Sequence, residues 1–253
     1  MNELQLHQIL LVAFFALAAI TFPVLLFVTA PYGRYTRERY GPKVGRRLGW
    51  MLMEAPSGLL YGVCFLLGDR WSNAVALVFL LLWEAHYTHR AYIFPFRLRG
   101  EQQRLTLTTV ALAVVFNLFN GYLNGRYLNL LAPPYPASWL ADPRFLAGVA
   151  LFVLGLAVNL QADTILINLR QPGETGYKIP RGGLFRLVSC PNYLGELVEW
   201  TGWAIATWSL PGLAFAAWTA ANLVPRALSH HRWYRDKFPD YPAERRAVIP
   251  FVL

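Results

Sequence analysis

Residues Asn159–Trp200 read NLQADTILINLRQPGETGYKIPRGGLFRLVSCPNYLGELVEW. In a very apolar chain this stretch gathers Asn159, Asp163, Arg170, Glu174, Tyr177, Lys178, Arg181, Asn192, Glu196 and Glu199. Asp163 lies near the end of one hydrophobic run, and Glu196 lies near the start of the next. Ionisable groups are costly inside membrane spans and by default point to function. The stretch therefore predicts a polar pocket where two membrane helices meet a basic loop.

The composition fits that setting. Of 253 residues, 56% are hydrophobic and only 15% are charged. The apolar residues come in long blocks, and a span needs about 20 of them to cross the hydrocarbon. This predicts one polytopic, all-α membrane domain over residues 1–253. The first apolar run, Leu4–Ala30, lacks a basic leader and a small-residue cleavage site, so it is expected to be a retained span. The net charge of +9 does not read as nucleic-acid binding, because the basic residues cluster between the spans. Cys64 and Cys190 form no CxxC or ligand cluster. Cys64 reads as an apolar filler, and the role of Cys190 stays open.

Seven transmembrane helices are expected, at about 6–30, 50–68, 73–96, 105–131, 144–168, 192–210 and 212–231, with a short tail over 232–253. Residues 69–72 and Pro211-Gly212 read as tight turns. Residues 31–49, 97–104 and 169–191, with the chain from Arg226 onward, hold 19 of the 23 Lys and Arg. Seven spans put all of these on one side, and the positive-inside rule makes that side cytoplasmic. The N-terminus is then outside and the C-terminus cytoplasmic.

This topology assigns depths. Glu54 lies roughly 6 Å in from the cytoplasmic end of the second span, at 1.5 Å per residue. Tyr87, Asp163, Asn192 and Glu196 fall in the same cytoplasmic half of their spans, as a shared water-accessible pocket would require. Asn159 and Asp163 share a helical face, as do Asn192, Glu196 and Glu199, and likewise Asn117, Asn120 and Asn124. The Asn face reads equally well as polar glue between helices. A carboxylate is not needed for such glue, so the acids favour a functional reading.

In the 169–191 loop Gly173, Gly176, Gly182 and Gly183 alternate with Arg170, Lys178, Arg181 and Arg186. Glycine lets backbone approach a ligand, and the cations match phosphate oxygens. A diphosphate-bearing ligand fits, as does plain positive-inside charge on a flexible turn. No GxGxxG follows a strand. The third span holds WEAHYTHRAYIFPF (83–96), with Glu84 and Tyr87 one turn apart. Without HExxH, and with five His in all, no metal site is expected.

Taken together, several segments resemble the steroid 5α-reductase (3-oxo-5-alpha-steroid 4-dehydrogenase) family. They are PYGR (31–34), EAPS (54–57), HYTHRAYIFP (86–95), NGYLNGRYL (120–128), DPRF (142–145), LRQPGETGYKIPRGGLF (169–185), NYLGELVEWTGWA (192–204), HHRWY (230–234) and DYPAERRAVIPF (240–251). The resemblance implies NADPH-dependent reduction of the 4,5 double bond of a 3-oxo-Δ4 steroid, with hydride added at C5 and a proton at C4. It implies that Glu54 and Tyr87 act at the 3-keto group. It implies an NADPH pocket of Asn159, Asp163, Arg170, Tyr177, Asn192, Glu196, Arg226, His230, Tyr234 and Arg245. The residue types suit that chemistry. Charge developing on the 3-oxygen calls for donors, which a tyrosine hydroxyl supplies and a carboxylic acid kept neutral by an apolar site also supplies.

Met53 stands where family members often have Gln before the motif Glu. Related families reduce other lipid enones, polyprenols or enoyl thioesters, and a more distant one methylates membrane lipids with S-adenosylmethionine. A non-enzymatic lipid-binding protein is the reading outside enzymes. A monomer with a lipid substrate is expected, in a bacterial inner membrane or, for a eukaryotic chain, in the endoplasmic reticulum.

Overall fold

The computed structural model describes residues 1–29, 35, 41–99, 104–171, 174 and 176–253. The PYGR segment with Arg34, the nearby Arg37 and Arg39, and Gly173 lie outside the described residues. Among the described residues seven long helices follow in order: α1 (Glu3–Phe27), α2 (Arg46–Leu66), α3 (Ala74–Thr88), α4 (Leu107–Arg126), α5 (Pro143–Asn168), α6 (Pro191–Thr207) and α7 (Leu210–Lys237). A π-helical turn extends α3 over His89–Ile93, and another extends α4 over Tyr127–Leu131. The predominantly helical fold agrees with the hydrophobic pattern.

Three helices among the described residues are long and apolar enough to cross a membrane: Glu3–Phe27, Leu107–Leu131 and Pro143–Asn168. The other four are shorter or more polar. α3 has 15 residues and α6 has 17, while α2 opens on Arg46-Arg47 and α7 ends in HHRWYRDK. Two details differ from the sequence reading. A short antiparallel pair, β1 (Lys43–Gly45) and β2 (Arg104–Thr106), joins Val44 to Leu105. The turn between α6 and α7 falls at Trp208-Ser209, not at Pro211-Gly212. Trp208 is left-handed (φ 46°), and Ser209 caps α7 by accepting from Gly212 N at 3.1 Å. Pro211 sits in the first helical turn, where its missing N–H costs nothing.

The chain divides into two compact units, Met1–Leu11 with Pro31–Pro143, and Val12–Ala30 with Arg144–Leu253. In the first unit α2 lies against α4. A side chain on Gly121 would come within 2.9 Å of the Ser57 carbonyl oxygen, so glycine permits this approach. The α4 face carrying Asn117, Asn120 and Asn124 is buried. Asn73 caps α3 by accepting from Val75 N and Ala76 N. Near the start of α1, His7 is buried with Nε2 3.0 Å from the Leu123 carbonyl oxygen, and Glu3 forms a two-pronged pair with Arg126.

In the second unit α5 and α6 meet backbone to backbone. A Cβ on Gly195 would sit 2.6 Å from Asn159 N, and one on Gly155 would overlap Glu199 N. Small residues allow such close approach between helices in lipid. The C-terminal segment folds back on the loop before α6. Ser189 N donates to Arg246 O (2.8 Å), Cys190 N to Ala247 O (3.1 Å) and Arg246 N to Leu187 O (2.9 Å). Cys190 packs with Ala227, Ala247 and Val248, which gives it a structural role.

Gly155→Val is expected to destabilise the protein by about 1–3 kcal/mol or more, the range for overpacking a tight interface. Thermal unfolding in detergent checks this, and an unchanged midpoint would contradict the backbone contact.

Candidate functional site

In the first unit α2 presents Glu54, half-buried, one turn before Gly58. A Cβ on Gly58 would lie 3.1 Å from Glu84 Oε2 and 3.2 Å from Tyr87 Cβ. The bare glycine thus lets α3 bring Glu84 and Tyr87 against the α2 face that carries Glu54. Tyr87 is 3% exposed. Its ring lies between Trp83 (5.2 Å) and the edge of His86 (5.0 Å). Trp83 is itself held by stacking on Tyr61 at 4.9 Å and by donating to Ser57 O at 3.3 Å. Asn120 donates to the Tyr87 hydroxyl at 3.2 Å, and Asn117 donates to Met53 O at 2.6 Å. Met53 is buried. This unit can place a phenol and a carboxyl group on an apolar ligand with a polar end.

The second unit gathers most of the remaining candidates. Asn159 (1% exposed) and Asp163 (4%) lie one turn apart on α5. Asn159 Nδ2 donates to Asn192 O (3.1 Å) and Glu196 Oε1 (3.2 Å), which joins three predicted residues directly. Its Oδ1 is buried without a hydrogen-bond partner among the described residues.

On α7, Arg226 Nε donates to the Tyr193 hydroxyl at 2.8 Å. That hydroxyl lies 3.2 Å from His230 Nε2, and the two rings stack. Tyr193 therefore links two predicted residues. The sequence reading passed over it, since an aromatic in an apolar helix reads as core. Tyr234 stacks on Tyr241 at 5.3 Å, and the Arg245 guanidinium sits over the same Tyr241 ring at 5.1 Å. Arg245 is 4% exposed, yet its Nε and Nη1 have no hydrogen-bond partner among the described residues. A buried guanidinium is costly unless something pairs with it, so this one is suited to an anionic ligand.

Ser189 holds the C-terminal segment against α7. Its Oγ donates to Arg246 O (3.2 Å), because a carbonyl only accepts. That leaves the same oxygen to accept from Tyr241 and from His231 Nδ1, each at 2.6 Å. Arg245 and Tyr241 are anchored from both sides by this arrangement.

The loop candidates are less gathered. Arg170 donates to Gly176 O at 3.2 Å. Tyr177 is exposed and edge-on to Trp233 at 4.8 Å, and that indole in turn meets Tyr234 at 5.2 Å. Lys178 is taken up by Glu174 at 2.6 Å, and this hydrogen bond, with one from Gln171 N–H, holds the Glu174 carboxyl below its usual range. Arg181 lines a surface pocket with Thr164, Ile165, Asn168, Leu169 and Ile179. Gly182 and Gly183 adopt positive φ (92° and 48°), so backbone geometry demands glycine there. Among the described residues no cluster of three His, Cys, Asp or Glu could hold a metal.

Fold and side chains together define a helical membrane protein with buried polar sets of an enzymatic kind. A family model described as 3-oxo-5-alpha-steroid 4-dehydrogenase matches residues 103–253. The 3-oxo-5-alpha-steroid 4-dehydrogenase 1 of Rattus norvegicus is 45% identical over 255 residues, covering 100% of this chain and 98% of the rat protein. The same-named protein of Mus musculus is 46% identical, covering 94% and 93%. Steroid 5-alpha-reductase DET2 of Gossypium hirsutum is 41% identical, covering 99% of each. The chain belongs to the 3-oxo-5-alpha-steroid 4-dehydrogenase family and is an oxidoreductase.

Tyr193→Phe should cost about 1–3 kcal/mol of stability, because Arg226 and His230 both lose a buried partner. Denaturant unfolding of the purified variant checks this, and wild-type stability would show that the chain of contacts is slack.

Proposed function

We propose that this protein reduces the 4,5 double bond of 3-oxo-Δ4 steroids to 5α-dihydro products, using NADPH. The observation that carries the reading is the placement of Glu54 and the buried Tyr87 hydroxyl by facing helices, in a chain similar end to end to named steroid 5-alpha-reductases.

The second unit's side chains fit the cofactor. Arg245 offers a buried, unsatisfied guanidinium to a phosphate, and Asn159 Oδ1 offers an open buried acceptor. Arg170, Arg226 and His230 supply further donors, Asp163, Asn192 and Glu196 shape the polar wall beside Asn159, and Tyr177 and Tyr234 supply aromatic surface. When bound, NADPH supplies the hydride that adds to C5. The chain's own work is electrostatic. Tyr87 donates to the 3-keto oxygen, and Glu54 is the second group that polarises it. Donors placed in advance where negative charge grows stabilise the transition state more than the ground state. Proton addition at C4 then completes the reduction.

The same reading places seven spans with the N-terminus outside and the basic loops and C-terminus cytoplasmic. The protein would act as a monomer in a bacterial inner membrane. Buried Met53 favours one variation, a different lipid enone. An apolar thioether here cannot donate to a ligand as Gln would.

Tyr87→Phe and Glu54→Ala are each expected to lower kcat on the order of 10²-fold, the usual cost of losing one group that stabilises an oxyanion, with NADPH affinity nearly unchanged. Normal turnover by both variants would refute the carbonyl-directed roles. Arg245→Met should melt, without ligand, at or above the wild-type temperature and lose the stabilisation that NADPH gives. Arg170→Ala should weaken NADPH binding more than steroid binding. Calorimetric titration and thermal shift measure both, and NADPH stabilisation intact in Arg245→Met would remove that residue from the pocket.

A further inference from the structure

Tyr87 can assist the reaction only if its single proton is free to point at the substrate. A phenol can equally turn that proton toward the Asn120 side chain. We infer that Asn120 is a positioning residue that prevents this, and that Asn124 sets the direction in which Asn120 works. This inference rests on the carbonyl-directed role of Tyr87 proposed above.

The direction follows from donor chemistry alone. Asn124 Nδ2 lies 3.2 Å from the backbone oxygen of Asn120 and 3.0 Å from Asn120 Oδ1. A backbone carbonyl only accepts, so the Asn124 atom facing it is the nitrogen. That nitrogen also meets the Asn120 side chain, so the atom it meets there is the oxygen. The Asn120 nitrogen is therefore turned to the Tyr87 oxygen, 3.2 Å away. An amide nitrogen donates and does not accept, so Tyr87 must accept at this contact, and its own proton points elsewhere. Exposures of 0% for Asn124, 0% for Asn120 and 3% for Tyr87 keep water from reversing the chain. Aligned donors also polarise one another, so a phenol that accepts from Asn120 is a stronger donor in turn. The placement is rigid because Gly121, next to Asn120, brings α4 onto the Ser57 backbone of α2. Helix glue alone would be served by either amide orientation, whereas this one has a fixed sense, running from Asn124 through Asn120 to the Tyr87 hydroxyl.

Asn120→Asp tests this with almost no change in shape. An aspartate oxygen can still accept from Asn124, but it also accepts from Tyr87 and captures its proton. The expected result is a fall in kcat on the order of 10²-fold, as for loss of the Tyr87 donor itself, with KM changed by less than about threefold. In a Tyr87→Phe background the same substitution should change kcat by less than about twofold, because residues acting through one group are not additive. A second readout needs no turnover. The carbonyl stretch of bound testosterone, read by infrared difference spectroscopy with NADP⁺ present, should move toward its unbound frequency in Asn120→Asp and in Tyr87→Phe alike. Should Asn120→Asp fail to fold, Asn124→Ala removes the anchor and should lower kcat several-fold in the wild-type background only.

Wild-type kcat and carbonyl frequency in Asn120→Asp, with Tyr87→Phe impaired, would overturn the positioning role and leave the proposed function standing. Full additivity with Tyr87→Phe would overturn it as well. An unimpaired Tyr87→Phe would refute the role of Tyr87, and this inference with it.

Discussion

Polar atoms buried in an apolar helical chain have no water to bond, so each needs a partner inside the protein or in a ligand. Most of the structure's particulars answer to that constraint. Asn117 bonds the Met53 carbonyl, Asn120 the Tyr87 hydroxyl and Asn159 both Asn192 and Glu196. These bonds need close helices, and glycine supplies the closeness: Gly121 over Ser57 and Gly195 beside Asn159. Backbone proximity, side-chain bonding and the placement of reactive groups are one arrangement seen at three scales.

Arg245 is buried and held over Tyr241, yet two of its nitrogens have nothing to donate to among the described residues. Ser189, His231 and Tyr241 fasten the C-terminal segment that carries it. Under the proposed reading, a phosphate of the cofactor supplies the acceptor these nitrogens lack. The first unit has a different character. Its Tyr87 and Glu54 are a phenol and a carboxyl group among aromatic and aliphatic side chains, and the proposed substrate, apolar but for one oxygen, matches them.

The hydrophobic blocks fall on the seven long helices among the described residues, three of them long and apolar enough to cross a membrane, and helical spacing puts Asn159 with Asp163 and Asn192 with Glu196 on common faces. The resemblance singled out Glu54 and Tyr87. What stayed hidden depends on distant partners. The β1–β2 pair is three residues long on each side, too short to leave a pattern. The Pro211-Gly212 dipeptide resembles a turn, but Ser209 upstream is a better cap, and the helix starts there. The tail reads as a polar appendage, and its docking rests on backbone bonds to Leu187, Ser189 and Cys190 that no local pattern announces. Tyr193 carries no spacing that sets it apart from its apolar neighbours, and the Asn face reads as much like glue as like function. Tyr177 was grouped with the pocket residues yet is exposed on the loop beside Trp233.

The central claim is a reaction, and identification of its product tests it most directly. Purified protein in detergent would be incubated with NADPH and testosterone, and the steroid product identified with its configuration at C5. The account predicts 5α-dihydrotestosterone, formed with stoichiometric loss of NADPH and not formed with NADPH omitted. A folded sample that binds NADPH and leaves both testosterone and progesterone unchanged would contradict the steroid assignment. One that binds no NADPH at all would contradict the cofactor as well.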